Sequence, residues 1–348
     1  MLITDKRLPR SPSMIVNCAF LIIPLVLVLI LCWEVIFQSI AIAASPKSDP
    51  DLSCFRFQLP KSILQKPFSF ADEVIPLNRP DVETRILSQV NFLLLDARSV
   101  LGEWLAERSR YAWIFEEVFQ REGIPREFAY LAPVLSGLTR NASKSPGAGV
   151  WVLENSCSSS EGVEMSEDNW HDDRMDLELS TRCFASRIKT LRKDITGGSW
   201  LLAAAAYVTS QKVIQDLQQR WDTNSYWDIP LPGSAEQLIV RWIAFSIISS
   251  NKEAYGLRFE VQEPFIFDQI TGIVLTKDLQ IAEIARMTGV SPREILSINP
   301  KIKISAPLFP AGVGGKPLTH AIAAPKGQGR LLLDKLEKAG YVVPVPSN

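Results

Sequence analysis

The chain has 348 residues, 47% of them hydrophobic, with a net charge of −1 and only two histidines. That length and apolar content allow two domains with sizeable cores. A near-neutral balance, with no basic block beyond the N-terminus, argues against nucleic acid as a partner. His171 and His320 have no Cys or His neighbours at ligand spacing, so no metal is expected, and nothing in the sequence asks for a cofactor.

Lys6, Arg7 and Arg10 lie in a short N-terminus, 1–13, before an apolar run from Met14 to Trp33 broken only by Asn17 and Pro24. A run of about 20 residues is long enough to span a bilayer. Basic residues on its N-terminal side predict a cytoplasmic N-terminus and export of everything that follows. The segment 14–44 has two readings. Its length suits an uncleaved inner-membrane anchor over 14–33, whereas Ala41-Ile42-Ala43 offers a small-x-small cleavage pattern. Both readings put the functional part in the periplasm. Of five cysteines, Cys54, Cys157 and Cys183 lie outside that run. In an oxidising compartment Cys157 and Cys183 can close a loop worth roughly 3 kcal/mol, or stay as free buried thiols.

Residues 45–80 carry Pro46, Pro50, Pro60, Pro67, Pro76 and Pro80 and read as an extended tether with little regular structure. Asp81 to Gly123 reads as two or three amphipathic helices. Next comes the stretch on which most of the functional reading depends. Ile124, Phe128, Leu131 and Leu135 recur at the spacing of a buried helix face, with Pro125 expected in the first turn. Ser145-Pro146-Gly147 and Gly149 then let the backbone turn tightly and approach a ligand closely. Ser136, Ser145, Gly147, Gly149 and Trp151 are therefore candidates for a cleft wall, joined by Tyr207 further on.

Several groups of residues together resemble the membrane-bound lytic transglycosylases of the D type. They are Gly123-Ile124-Pro125, Glu127, Ala129-Tyr130-Leu131, Val134, Ser136-Gly137, Ser145 to Gly149 and Trp151. The likeness continues through Asp173-Arg174, Asp176 and Ser180-Thr181, then Ser199 to Tyr207, then Trp227-Asp228 with Leu231-Pro232. It implies a lysozyme-like helical domain over 81–262 that cleaves peptidoglycan glycan strands. In that family one glutamate acts as general acid and then base, while the sugar 6-hydroxyl closes a 1,6-anhydro ring. General acid-base catalysis is worth about 10²–10⁴-fold and needs a proton donor in reach of the leaving oxygen.

The position the resemblance assigns to that glutamate is Leu135. Val152 and Val208 stand for two amides, Ser234 for an acid and Leu238 for a phenol. Joint loss points to relaxed catalytic constraint, so no catalytic residue is assigned. Glu154 is the one rescue candidate.

Leu153 to Asn169, rich in Ser, Glu and Asp, reads as a mobile solvated loop or an acidic docking surface. Trp170-His171 reads as a packed surface pair. From Phe265 the pattern changes. A strand-like run at Ile273 to Leu275 precedes a helix over Lys277 to Met287, a second helix capped by Ser291 with Pro292 at its first position, then Asn299-Pro300 and a strand over Ala321 to Gly327. This order resembles a LysM-like glycan-binding module over 263–335, followed by a tail, 336–348.

The expected fold is thus mainly α, a lysozyme-like (SLT) helical domain followed by a small α+β LysM-like module. The expected function is a non-catalytic envelope protein that binds peptidoglycan glycan strands or scaffolds an envelope protein. Two alternatives stand beside it: an active transglycosylase using a relocated acid such as Glu154, and an interaction domain with a closed cleft.

Overall fold

In this computed structural model, the described residues are 56–138, 147–154, 157, 162–259 and 262–342. The anchor or signal segment at 14–44, Cys18, Cys32 and Cys54 lie outside them. Among the described residues no helix is long and apolar enough to cross a membrane. The chain is mainly α, a lysozyme-like helical part followed by a small α+β module, with two hydrophobic cores.

The helical part does not start at residue 81. Residues 57–80, expected as a tether, form a short helix α1 (Lys61–Leu64) and a hairpin of β1 (Ser69–Phe70) with β2 (Glu73–Val74). Leu59, Ile63, Phe70, Ala71 and Ile75 are all buried, and the Phe70 ring meets Trp242 edge-on at 4.7 Å. Counting prolines missed these apolar residues, each of which gains from leaving water. Glu73 adds a polar anchor. Its carboxylate accepts from Ser199 Oγ at 2.9 Å and from the Leu201 amide at 2.9 Å, at the N-terminus of a helix where negative charge is stabilised.

Helix α2 (Pro80–Asn91) opens on a proline and buries Val82, Ile86 and Val90, one face at a spacing of four. A π-helical turn, Phe92–Asp96, leads to the long α3 (Arg98–Glu122), which Gly123 ends at φ 67°. Pro125 is not in the first turn of a regular helix. It caps a 3-10 turn over Arg126–Tyr130, after which α4 (Leu131–Ser136) is only six residues long. Then come α5 (Leu177–Asp194), α6 (Trp200–Val208), α7 (Gln211–Trp221) and α8 (Gly233–Ser250). Trp242 on α8 donates from Nε1 to the Glu127 carbonyl at 2.8 Å, tying the last helix to the 3-10 turn.

The α+β part pairs β3 (Phe267–Val274) with a distant antiparallel strand, Thr319–Pro325, and a bulge falls between Ile270 and Ile273 at Gly272. Short strands β4 (Leu279–Gln280) and β5 (Leu308–Phe309) pair with each other, as do β6 (Gly312–Val313) and β7 (Lys316–Pro317). The long partner of β3 is therefore β8. Helices α9 (Ile281–Thr288) and α10 (Pro292–Ile298) lie between β4 and β5. Asn299 explains the Asn-Pro step. Its Nδ2 donates to the Ile295 and Ala323 carbonyls, each at 3.0 Å, and its Oδ1 accepts from the Ala323 amide at 2.9 Å, locking α10 to β8. The expected tail is packed as far as Val342. Helix α11 (Gly329–Lys338) buries Leu332 and Leu336, and Tyr341 and Val342 are buried too.

Candidate functional site

The turn that carries the expected cleft residues is tight. Ala148 and Leu153 exchange both backbone hydrogen bonds at 2.9 Å, and the Val152 amide reaches the Gly149 carbonyl at 3.1 Å. Gly149 sits at φ 75°, and a Cβ there would run into the Arg174 carbonyl oxygen. A Cβ on Gly147 would meet Val152. Both glycines are thus required by close approach of protein to protein, not of protein to ligand. Val152 holds φ 52°, a left-handed conformation unfavourable for a β-branched residue.

Trp151 does not line a groove. Its indole is fully buried, stacked on Phe184 with centroids 4.0 Å apart and planes 14° apart, and Nε1 donates to Thr181 Oγ1 at 2.8 Å. Phe115 and Phe119 meet it edge-on at 5.3 and 5.7 Å. An aromatic face already stacked inside a core has none to offer a sugar. Ser136 is buried as well. Its Oγ donates to the Ala132 carbonyl at 3.0 Å and accepts from the Leu138 amide at 3.1 Å, closing the turn after α4. Leu135 is 9% exposed and belongs to the helical core. Ser145 lies outside the described residues.

Tyr207 is the expected binding residue that does face a cleft. Its hydroxyl donates to the Trp151 carbonyl at 2.7 Å and its ring meets Phe184 edge-on at 5.0 Å. Burial pushes this phenol well above its ordinary pKa, Arg187 pulling it down and Glu154 pushing it up by less. The cleft beside it holds about 420 Å³ and is lined by Val152, Glu154, Arg187, Leu191, Tyr207 and Thr209, among others. Glu154 is exposed and forms no ion pair among the described residues. The sequence reading missed Arg187. A signal was present, because Arg187, Thr190 and Leu191 follow Cys183 and Phe184 at helical spacing on α5.

The described residues of the acidic stretch before α5 are anchored rather than loose, while 155–156 and 158–161 lie outside the described residues. Cys157 and Cys183 form a disulfide, Val163 and Met165 are buried, and the Met165 amide reaches the Cys157 carbonyl at 3.2 Å. Glu167, Asp168 and Asp172 meet bases from the same chain. Arg174 pairs with Asp172 at 2.8 Å and Glu167 at 2.6 Å, while Lys303 of the α+β part reaches Glu167 at 2.9 Å and the Asp168 carbonyl at 2.6 Å. Backbone bonds from Asp172 to Lys301 and from Lys303 to Trp170, both 2.8 Å, complete this seam. Trp170 lies between His171 and His320, with centroids 4.1 and 5.5 Å away.

His171 sits at the seam with Nδ1 2.9 Å from Asp168 and Nε2 3.0 Å from Ser166 Oγ and 3.6 Å from Asp173. Burial opposes its charged form, yet Asp173 and Asp168 together hold its pKa above the ordinary value. A narrow slot of about 80 Å³ lies nearby, between Trp113 of α3, Phe265, Phe267 and Lys301. Asp176 lines it too, and burial pushes its carboxyl up despite Lys301 at 3.9 Å. No group of three or more metal-binding side chains occurs among the described residues.

No protein-family model matches the chain. It is 27% identical over 196 residues to "Membrane-bound lytic murein transglycosylase D" of Escherichia coli K12, an alignment covering 55% of this chain and 42% of that protein. The chain is related to the lytic murein transglycosylases. The protein of the same name from Escherichia coli O6:H1 gives the same identity and coverage. The chain thus spans less than half the length of these transglycosylase D relatives. The cleft beside Tyr207 is lined by apolar side chains such as Val152 and Leu191, by hydroxyl-bearing Thr190, Thr209 and Ser210, and by the charged Glu154 and Arg187.

Proposed function

We propose that this protein is an exported, peptidoglycan-associated component of the cell envelope that binds or scaffolds rather than cleaves. The reading is carried by Leu135, which the sequence resemblance aligns with the family's glutamate. It is buried in the helical core and has no proton to transfer. Val152 and Val208, in place of two amides, also pack against that core. The relatives' names, both murein transglycosylases, support peptidoglycan as the partner and the periplasm as the location. The apolar run at 14–33 would hold the protein at the inner membrane, and the βααβ order over 263–335 suits a glycan-binding module.

One observation favours a second reading: Glu154 does line the cleft, beside Tyr207. It stands in solvent at the rim, whereas Leu135 lies in the core. A catalytic role there would need substrate to bind along the rim. The test of association is co-sedimentation of the purified full-length protein with isolated sacculi. Saturable sedimentation supports binding, and none at all leaves the closed-cleft interaction domain.

A further inference from the structure

The narrow slot at the seam has one wall from α3 and the other from β3, β8 and the turn after α10. The Phe265 amide donates to the Arg110 carbonyl at 3.0 Å, which pins the start of the second wall to α3. Trp113 stands at this slot with 41% of its surface in water, its indole having no ring partner or hydrogen bond among the described residues. Leaving so large an apolar face wet forgoes the gain from burying it. Phe267 lines the slot as well, its ring edge-on to Phe265 at 5.8 Å. Ligand sites favour such places, where aromatic walls from two parts of a chain meet beside a few polar groups.

The charges around the slot are spent on one another. Asp176 accepts from the Glu178 and Leu179 amides at 3.1 and 3.0 Å and lies 3.9 Å from Lys301. Arg121 reaches Glu117 at 3.3 Å and Glu178 at 3.5 Å. Gln269, exposed on β3, is a lining carboxamide with no side-chain partner among the described residues. A charged occupant would have to break those pairs, and an alkyl chain would dry the carboxamide without replacing its hydrogen bonds to water. A sugar ring meets both conditions, with an apolar face for the indole and a hydroxyl edge for Gln269. A cavity needs about 10–15 Å³ to hold a water, so a slot of about 80 Å³ has room for roughly six, comparable in bulk to one hexose ring.

We infer that this slot holds one neutral sugar residue of a peptidoglycan strand, an N-acetylhexosamine ring lying on the Trp113 indole with its hydroxyl edge toward Gln269. The inference rests on the proposed association with peptidoglycan and places a sugar contact at the seam, apart from the cleft beside Tyr207. Because the two walls come from different parts of the chain, a bound ring bridges them and stabilises the folded protein. Contacts to a neutral ring are not screened, so affinity is indifferent to salt.

The test is equilibrium binding of chitotetraose, a neutral chain of N-acetylglucosamine, to the full-length protein in a detergent whose headgroup carries no sugar. The inference predicts saturable binding that raises the melting temperature, does not change with salt and shifts tryptophan emission. Trp113→Ala should weaken binding at least tenfold with the melting temperature of the free protein little changed, since the side chain is exposed. Trp113→Phe should keep part of the affinity and lose the emission shift, and Gln269→Ala should weaken binding severalfold. No binding of chitotetraose, or an affinity indifferent to Trp113→Ala, overturns the inference. Saturable binding of octanol but not of chitotetraose would make the slot an alkyl site and overturns it too. Sacculus co-sedimentation separates the two failures. If sacculi bind while chitotetraose fails or ignores Trp113, the slot reading falls and the association stands. If neither binds, both fall.

Discussion

The Tyr207 hydroxyl donates to the carbonyl oxygen of Trp151 over 2.7 Å, so the cleft wall is bonded to the backbone of the residue whose indole fills the core. One side chain thereby couples α6 to the Gly149–Val152 turn. Burial raises the phenol's pKa, which keeps the donor protonated throughout the physiological range. Tyr207→Phe should cost about 1 kcal/mol of stability, the usual net worth of one hydrogen bond, measurable by urea denaturation. No loss would mean that the bond does not hold the turn.

Gly149 is a sharper probe of the same turn. Its positive φ and the Arg174 carbonyl lying where a Cβ would be combine backbone strain with a clash. Gly149→Ala should destabilise by at least about 2 kcal/mol, whereas Gly162→Ala, also at positive φ but with open space around it, should cost about 1 kcal/mol. Similar losses at the two sites would argue against the close approach.

The disulfide between Cys157 and Cys183 spans 26 residues. Chain entropy makes such a loop worth about 3.5 kcal/mol. Cys157→Ser with Cys183→Ser should lower stability by about 2–4 kcal/mol, and reducing agent should shift the wild-type melt but not that of the double variant. A free-thiol assay on the denatured protein checks the pairing directly.

The seam between the helical part and the α+β part should respond to pH through His171. With its folded pKa above the unfolded value, its contribution is complete below about 6.5 and is lost as pH rises through the folded pKa. Asp168 and Asp173, both held low, contribute above the ordinary carboxylate range and lose that share only as pH falls through their folded values. His320 works in the opposite sense to His171. Burial lowers its pKa, so stability falls when acid charges it below about 6.5. Melting temperature should therefore decline on the alkaline side of that pH in the wild type. His171→Gln should flatten that limb and leave the acid limb in place; an unchanged alkaline limb would remove His171 from the account.

The sequence revealed the periodic parts of this molecule. The Leu131 and Leu135 spacing and the Ser291 cap with Pro292 each reflect a local rule, and each forms as its rule requires. Local rules failed where long-range packing decided. Residues 57–80 looked like a tether by proline count, yet Phe70 finds Trp242 more than 170 positions later. Trp151 looked like a sugar platform, and only its stack on Phe184 shows otherwise. Glu167 and Asp168, at the end of the stretch Leu153 to Asn169, read as solvated because their partner, Lys303, lies over 130 residues away. Arg187 was hidden by its neighbours, since Phe184, Ile188 and Leu191 gave α5 an obvious buried face and drew attention from the adjoining one.

Product analysis of murein tests the central claim most directly. Isolated sacculi incubated with the purified protein, then digested and resolved by mass spectrometry, should show no 1,6-anhydromuropeptides above a heat-inactivated control. Anhydro products that accumulate with time and disappear in Glu154→Gln would show that the cleft still cleaves, with its acid moved from position 135 to the rim.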